Sequence, residues 1–291
     1  MNIAILSRDE NIYSTYRIIQ EGRQRGHRML VIDHTQCNIV IENKRPKLYF
    51  QNQLIDNIDA VIPRIGANVT DIGASVIQHF ESMGISTTLS ASGLINSRNK
   101  MKSLQILSRE KVSIPNTCYV NQLENTKILE KVLGNPPWIL KIPEGTQGIG
   151  VILSETLAAA ESTIETLLKL NTKVIVQEFI KESKATDIRV LVVNGKILGA
   201  MKRTASTGFR SNLHRGATGT PVELTKKEAK LALQATEILG LHIAGVDIIQ
   251  SNKGPLILEV NSSPGLEGIE DNTSINVAKE IIIATEELVN L

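Results

Sequence analysis

The chain is poor in cysteine, in net charge and in long apolar runs. Its 291 residues include two cysteines, Cys37 and Cys118, far apart and without CxxC spacing. That argues against a disulfide framework or a zinc site and for two reduced thiols in a cytoplasmic protein. Thirty-two Lys and Arg against thirty Asp and Glu leave a net charge of +2. So small a surplus makes no case for nucleic acid or a membrane surface as partner. No run approaches the ~20 apolar residues a membrane-spanning helix needs. The opening "MNIAILSRDE" has no basic leader and reads as a first strand rather than a signal peptide. A dinucleotide fingerprint is missing too: "SRDENIY" follows the first strand where GxGxxG would stand.

What is present is a soluble α/β pattern, 42% hydrophobic and 21% charged, without repeats or low-complexity linkers. Three regions emerge. In residues 1–88, "NIAIL" and "MLVID" flank a polar helical stretch at 12–25. "DAVIPRIG" and a helix over "DIGASVIQHFESMG" follow, which is the signature of parallel βαβ units. Residues 89–175 open with one helix over "NSRNKMKSLQILSRE". A strand at "NTCYV", a helix near 125–133, the strands "PWILK" and "VIL" and a helix near 155–170 complete that region. Residues 176–291 are richer in hairpins, with "DIRVLVV-NG-KILGAMKR" turning at Asn-Gly and "AGVDIIQ-SNKG-PLILEV" forming a second. Helices near 225–240 and 274–290 cover the sheet.

The second hairpin carries acids in apolar strands. Alternation along "PLILEVN" puts Ile257, Glu259 and Asn261 on one face and Leu256, Leu258 and Val260 on the other. A three-residue turn, Asn252–Gly254, would pair Ser251 with Pro255 and Asp247 with Glu259. Two carboxylates and an amide oxygen then share one patch. Like charges so close call for a cation between them, and hard oxygen donors suit Mg²⁺ held together with substrate phosphates. Acids on a solvated sheet face are the alternative reading.

A second stretch, "KIPEGTQGIGVIL", joins two strands by a glycine loop. Gly145 and Gly148 let backbone N–H groups approach an anion, and Lys141 precedes them as an ammonium for nucleotide phosphates. The loop is not a Walker A sequence, and a plain flexible turn fits as well. "KVIVQEFI" ends where a hinge could offer backbone groups to an adenine edge. Asp187, just before "IRVLVV", is a candidate for ribose hydroxyls or for a cap. Lys202, Arg203, Arg210, His214 and Arg215 form a basic loop, either a solvated face or a clamp for an acidic substrate and a transferring phosphoryl group. His27, His34, His79 and His242 receive no role.

Taken in order, these pieces resemble the ATP-grasp superfamily. "ILSRD", "AVIPRIG", "EGTQGIGV", "VQEFIKE", "DIRVLVV", "FRSNLHRG", "AGVDI" and "EVNSSPGLEGIE" are similar to RimK, a glutamate ligase family that extends the C-terminus of a small-subunit ribosomal protein. The resemblance implies an ATP-grasp fold, α/β with an α+β C-terminal half, behind a Rossmann-like N-terminal domain. It implies boundaries of 1–88, 89–175 and 176–291, with ATP between the last two regions. Lys100 and Lys141 would contact phosphates, and the backbone of Gln177, Glu178, Phe179 and Ile180 would read adenine. Asp187 would take the ribose. Arg210, Ser211 and Asn212 would line the nucleotide and acyl-phosphate site, with Arg203 and Arg215 as further phosphate or glutamate contacts. Asp247, Glu259 and Asn261 would hold a pair of Mg²⁺ ions, replaceable by Mn²⁺. Lys141 and Arg210 would be the catalytic cations. The implied partners are L-glutamate and the ribosomal protein's tail, and the implied assembly is a homo-oligomer such as a tetramer. One departure stands out: Ala185 occupies a position where the resemblance implies a glycine.

Overall fold

The computed structural model describes residues 1–122, 126–143, 150–209, 211 and 216–290. The N-terminal unit is built on a parallel sheet. Its strands β1 (Asn2–Leu6), β2 (Arg28–Ile32), β6 (Ala60–Pro63) and β7 (Ser86–Thr87) run in the order β2-β1-β6-β7. Helices α1 (Tyr13–Gln24) and α2 (Thr70–Ser82) form the crossovers. Between β2 and β6 lies an addition the apolar pattern does not announce. Here β3 (Cys37–Glu42), β4 (Arg45–Phe50) and β5 (Gln53–Ile55) make a small antiparallel sheet.

The helix expected over residues 96–110 is two helices, α3 (Ala91–Arg98) and α4 (Lys100–Arg109). Asn99 breaks the run. Its ψ of 101° is extended, and its side chain accepts from the Lys102 N–H at 2.9 Å. An Asn at this position satisfies a donor the new helix would otherwise leave open. The break also sets Arg98 and Lys100 on either side of a corner.

The central sheet, in the order β10-β9-β11-β8, is antiparallel. It contains β8 (Thr117–Val120), β9 (Trp138–Lys141), β10 (Val151–Ser154) and β11 (Val174–Glu178), backed by α5 (Thr126–Leu133) and α6 (Leu157–Lys169). Trp138, Leu140, Val174, Val176, Leu129 and Ile164 give this lobe its own core. The third sheet, β14-β13-β12-β15-β16, consists of β12 (Thr186–Val193), β13 (Lys196–Thr204), β14 (Thr218–Pro221), β15 (Ile243–Ser251) and β16 (Gly254–Asn261). Thus the loop expected across 204–220 ends in an edge strand. Helices α7 (Lys226–Ile238), α8 (Glu267–Thr273) and α9 (Val277–Val289) flank the sheet.

This third sheet shares its interior with the N-terminal unit. Leu6 and Phe80 pack in one cluster with Val190, Val246 and Val260, while Ile3 and Ile18 join Leu191 and Ile281 in another. The central lobe therefore stands against a body made of the other three sheets. Among the described residues no helix is long and apolar enough to cross a membrane. Cys37 and Cys118 are free thiols, and burial, then Asp33, pushes Cys37 up to about 11.

Candidate active site

The β15–β16 hairpin brings its acids together by a route different from the expected one. Its turn has two residues, Asn252 and Lys253, with Gly254 at a φ of 111° and paired to Ser251. Ser251 therefore does not face Pro255; Gln250 does. A bulge at Leu258 restores the register, so Asp247 lies opposite Glu259 and Gly245 opposite Asn261. A bulged residue also reverses the alternation behind it. Ile257 consequently turns into the core with Val260 rather than sharing a face with Glu259.

Glu259 and Asn261 form one unit, with Asn261 Nδ2 donating to Glu259 Oε1 at 3.0 Å. The second carboxylate oxygen and the amide oxygen remain as hard donors of the kind Mg²⁺ takes. Asp247 is differently engaged. Arg189 grips it with a very short Nε contact to Oδ1 and an Nη2 bond to Oδ2 at 2.8 Å, and Arg203 Nη2 reaches Oδ2 at 2.9 Å. Burial would raise the Asp247 pKa, but the two guanidinium groups outweigh it and hold it below its ordinary value. Glu259 and Asn261 fit a divalent cation as they stand; Asp247 fits one only if it releases an arginine contact. Among the described residues no three of His, Cys, Asp and Glu cluster as a metal cage.

The charge ladder continues across the sheet. Asp187 pairs in register with Arg203, which donates to both its oxygens at 2.6 and 2.7 Å, and Ser211 Oγ donates to Oδ2 at 2.6 Å. Asp187 is thus committed to protein donors rather than open toward a ribose. Burial and the neighbouring Asp247 push it up, and Arg203, which burial alone would lower, is raised by both acids. Gly245 makes room for this arrangement. A Cβ there would lie 2.9 Å from Pro264 Cβ and 3.1 Å from Arg189 Nη1.

From the central lobe, Lys141 at the end of β9 comes within electrostatic reach of Glu259, Lys100 and Asp247. Burial pulls its ammonium down to about 8. Lys100 Nζ donates to Pro143 O at 3.4 Å, and burial lowers it too, against the pull of Glu259. The expected hinge follows β11. Gln177 is buried and donates to Thr117 Oγ1 at 2.9 Å. Glu178 is tied to Asn116 by its N–H at 3.1 Å and by its carboxylate at 2.7 Å. The chain then passes through Phe179 and the buried Ile180 into β12. Gly145, Gly148, Arg210, Asn212, His214 and Arg215 lie outside the described residues.

Three arginines were not foreseen. Arg189 had a readable signal: two positions from Asp187 in a strand, it shares that acid's face. Arg64, donating to Pro264 O, and Arg98, donating to Ile65 O, had none. Only the packing of the N-terminal unit on the "NSSPG" loop brings them here.

Comparisons with known proteins agree with this architecture. The RimK PreATP-grasp domain description matches residues 1–94 and the RimK-like ATP-grasp domain description residues 97–285. A probable alpha-L-glutamate ligase of Marinobacter nauticus is 47% identical over 287 residues, 98% of this chain and 95% of that protein. A probable alpha-L-glutamate ligase of Vibrio atlanticus is 48% identical over 282 residues, 97% and 94% respectively. Among solved structures, the ATP-grasp ligase PsnB complexed with a precursor peptide and AMPPNP superposes with a TM-score of 0.77 at 18% identity, covering 99% of this chain and 98% of that one. D-alanine–D-alanine ligase from Bacillus anthracis complexed with ATP gives 0.71 at 18%, covering 100% and 97%. At such identities the structures speak for the fold alone.

Proposed function

The chain belongs to the RimK-like ATP-grasp ligase family, and from that premise we propose that it is an ATP-dependent α-L-glutamate ligase. Its acceptor on this reading is a peptide carboxylate, in the first place the C-terminal glutamate of a small-subunit ribosomal protein, in the cytoplasm. One observation carries the proposal: the Glu259–Asn261 pair, opposite Asp247, lies within electrostatic reach of Lys100 at the start of α4 and of Lys141 on the central lobe's β9. Hard oxygens and ammonium groups at one point suit a nucleotide triphosphate with its cation. The relatives' shared name supports glutamate as the amine.

Glu259 and Asn261 would hold Mg²⁺, which would offset the negative charge of the nucleotide phosphates. Lys141 and Lys100 orient the same phosphates. An acceptor carboxylate oxygen attacks the γ-phosphorus and ADP leaves. The glutamate amine attacks the resulting acyl phosphate, and the amide forms as phosphate departs. No side chain becomes a covalent nucleophile; the protein contributes positioning and charge compensation. Arg210, with Ser211 and Asn212, would meet the transferring phosphoryl group. Asp187 and Asp247 act through the arginines they orient.

The test is ADP release with Mg-ATP and L-glutamate, with and without a peptide ending in the ribosomal protein's glutamate-rich tail, followed by mass spectrometry. A Mg²⁺-dependent ladder of glutamate additions on the peptide is the expected result. Free oligo-glutamate would keep the ligase and remove the peptide acceptor. Tight ATP binding with no product from any acidic acceptor would replace the proposal with a non-catalytic ATP-binding regulator.

A further inference from the structure

Among the described residues, several buried or half-buried arginines face carboxylates. Arg203 holds Asp187 and Asp247, Arg189 holds Asp247, and Arg17 holds Glu270. Arg64 and Arg98 break that pattern. Among the described residues neither has a carboxylate at ion-pair distance, and each gives one Nη2 donor to a main-chain carbonyl, of Pro264 and Ile65. The Arg98 Nε is fully buried and has no acceptor among the described residues. A guanidinium carries five donors and a fixed charge, and Arg is almost never taken inside without an anion to face. Here two stand as half-buried neighbours, one with a fully buried Nε. Burial, and then Arg98, brings Arg64 down to about 10; burial lowers Arg98 as well, with Glu259 pulling the other way.

Their surroundings are those of a site. Arg98 precedes Lys100 by one corner residue and is within electrostatic reach of Glu259. Arg64 holds the loop that begins directly after Asn261. In that loop the Ser262 and Ser263 hydroxyls are also buried without partners among the described residues, and Ser262 is 3% exposed. Unpaired donors of both kinds thus flank the proposed catalytic pair. A simple staple between the N-terminal unit and the loop would need only the two carbonyl contacts, not two adjacent guanidinium groups without an ion-paired carboxylate.

Resting on the ligase reading above, we propose that Arg64 and Arg98 form a carboxylate-binding subsite beside Glu259 and Asn261. It takes a carboxylate of an acidic amino-acid substrate that the reaction does not consume. That chemistry has two sources, the incoming L-glutamate and the terminal residue of the acceptor. A paired guanidinium site matches a carboxylate bidentately, and it explains why an N-terminal unit without a nucleotide fingerprint is packed against the site loop.

The experiment compares wild type with Arg64→Gln, Arg98→Gln and Arg64→Lys. Kinetics are taken with Mg-ATP, L-glutamate and a peptide ending in glutamate, with glutamine and isoglutamine as analogues each lacking one carboxylate. ATP affinity and Tm are measured alongside. The expected result is a rise of about 10–100-fold in KM for one acidic substrate, ATP affinity within about twofold, partial rescue by Lys, and lost discrimination against one amide analogue. A rise in the KM for glutamate assigns the subsite to the incoming amino acid; a rise in the KM for the peptide assigns it to the acceptor. Unchanged KM values, or a fall in Tm with discrimination intact, would overturn the subsite and leave a structural staple. If wild type turns nothing over, the ligase reading fails separately. Calorimetric titration of L-glutamate and of the peptide then decides: binding lost in the Gln variants supports the subsite, and equal or absent binding in wild type and variants overturns it.

Discussion

Asp247 and Glu259 stand directly opposite each other on β15 and β16, yet they answer to different cations. Asp247 is held by Arg189 and Arg203 from its own sheet. Glu259 accepts from Asn261 and lies within electrostatic reach of Lys100 and Lys141. One carboxylate is bound into the sheet while its neighbour stays available for chemistry, because the arginines of β12 and β13 take up the charge of the first.

Replacing Glu259 by Gln removes a hard anionic donor while keeping size and the contact to Asn261. Turnover should fall by at least about 10²–10³-fold, with Tm nearly unchanged. Steady-state ADP release and a thermal melt check both. A fully active Glu259→Gln would remove the metal-binding role.

Asp247→Asn should behave differently. It leaves Arg189 and Arg203 facing a neutral amide in the interior. Breaking one partner of a buried charge network costs about 3–5 kcal/mol, so the denaturation midpoint should drop markedly, in contrast to Glu259→Gln. Urea unfolding of the two variants side by side is the measurement. Equal stability would mean the arginines find other anions.

Lys141 titrates from about 8 in the fold against an ordinary 10.5. Between these values the unfolded chain holds more protons than the folded one, so this residue's contribution to stability rises with pH across that window and is flat below it. The stability difference between wild type and Lys141→Met should therefore shift in favour of wild type from pH 8 to pH 10.5. Nucleotide phosphates favour the charged ammonium, so ATP binding near pH 8 should take up protons. Calorimetry in buffers of different ionisation enthalpy reads that uptake, which Lys141→Met should abolish.

Ala185 sits at a φ of 56° and follows Lys184 at 49°. Its carbonyl accepts from the Ala205 N–H at 3.1 Å, so the surrounding strands keep it there. A Cβ is unfavourable in left-handed backbone, against a smaller entropic cost of glycine in the unfolded chain. Ala185→Gly should stabilise by up to about 1 kcal/mol, raising Tm by ~2–4 °C. A lower Tm would show the side chain to be favourably packed.

Much was legible in the sequence because its physics is local. Periodicity marked the βαβ elements, Asn194-Gly195 marked a turn that needs positive φ at both positions, and the acids of "AGVDI" and "EVN" marked the patch. The pairing of Asp247 with Glu259 held even though the turn is one residue shorter than expected, because the bulge at Leu258 takes up the difference. Tertiary structure alone decided the rest. Asn99 could be read inside a helix or as the cap that splits it, and packing chose the corner that presents Arg98 and Lys100. Asp187 and Asp247 could be read as ligands, but cross-strand neighbours committed them to Arg203 and Arg189. Arg64 lies within the family-like "AVIPRIG", yet neither it nor Arg98 carries a local signal of a place at the site. Their meaning comes from which buried surface the N-terminal unit lays on the loop after Asn261, and burial of a charge is a property of the packed molecule, not of the residue.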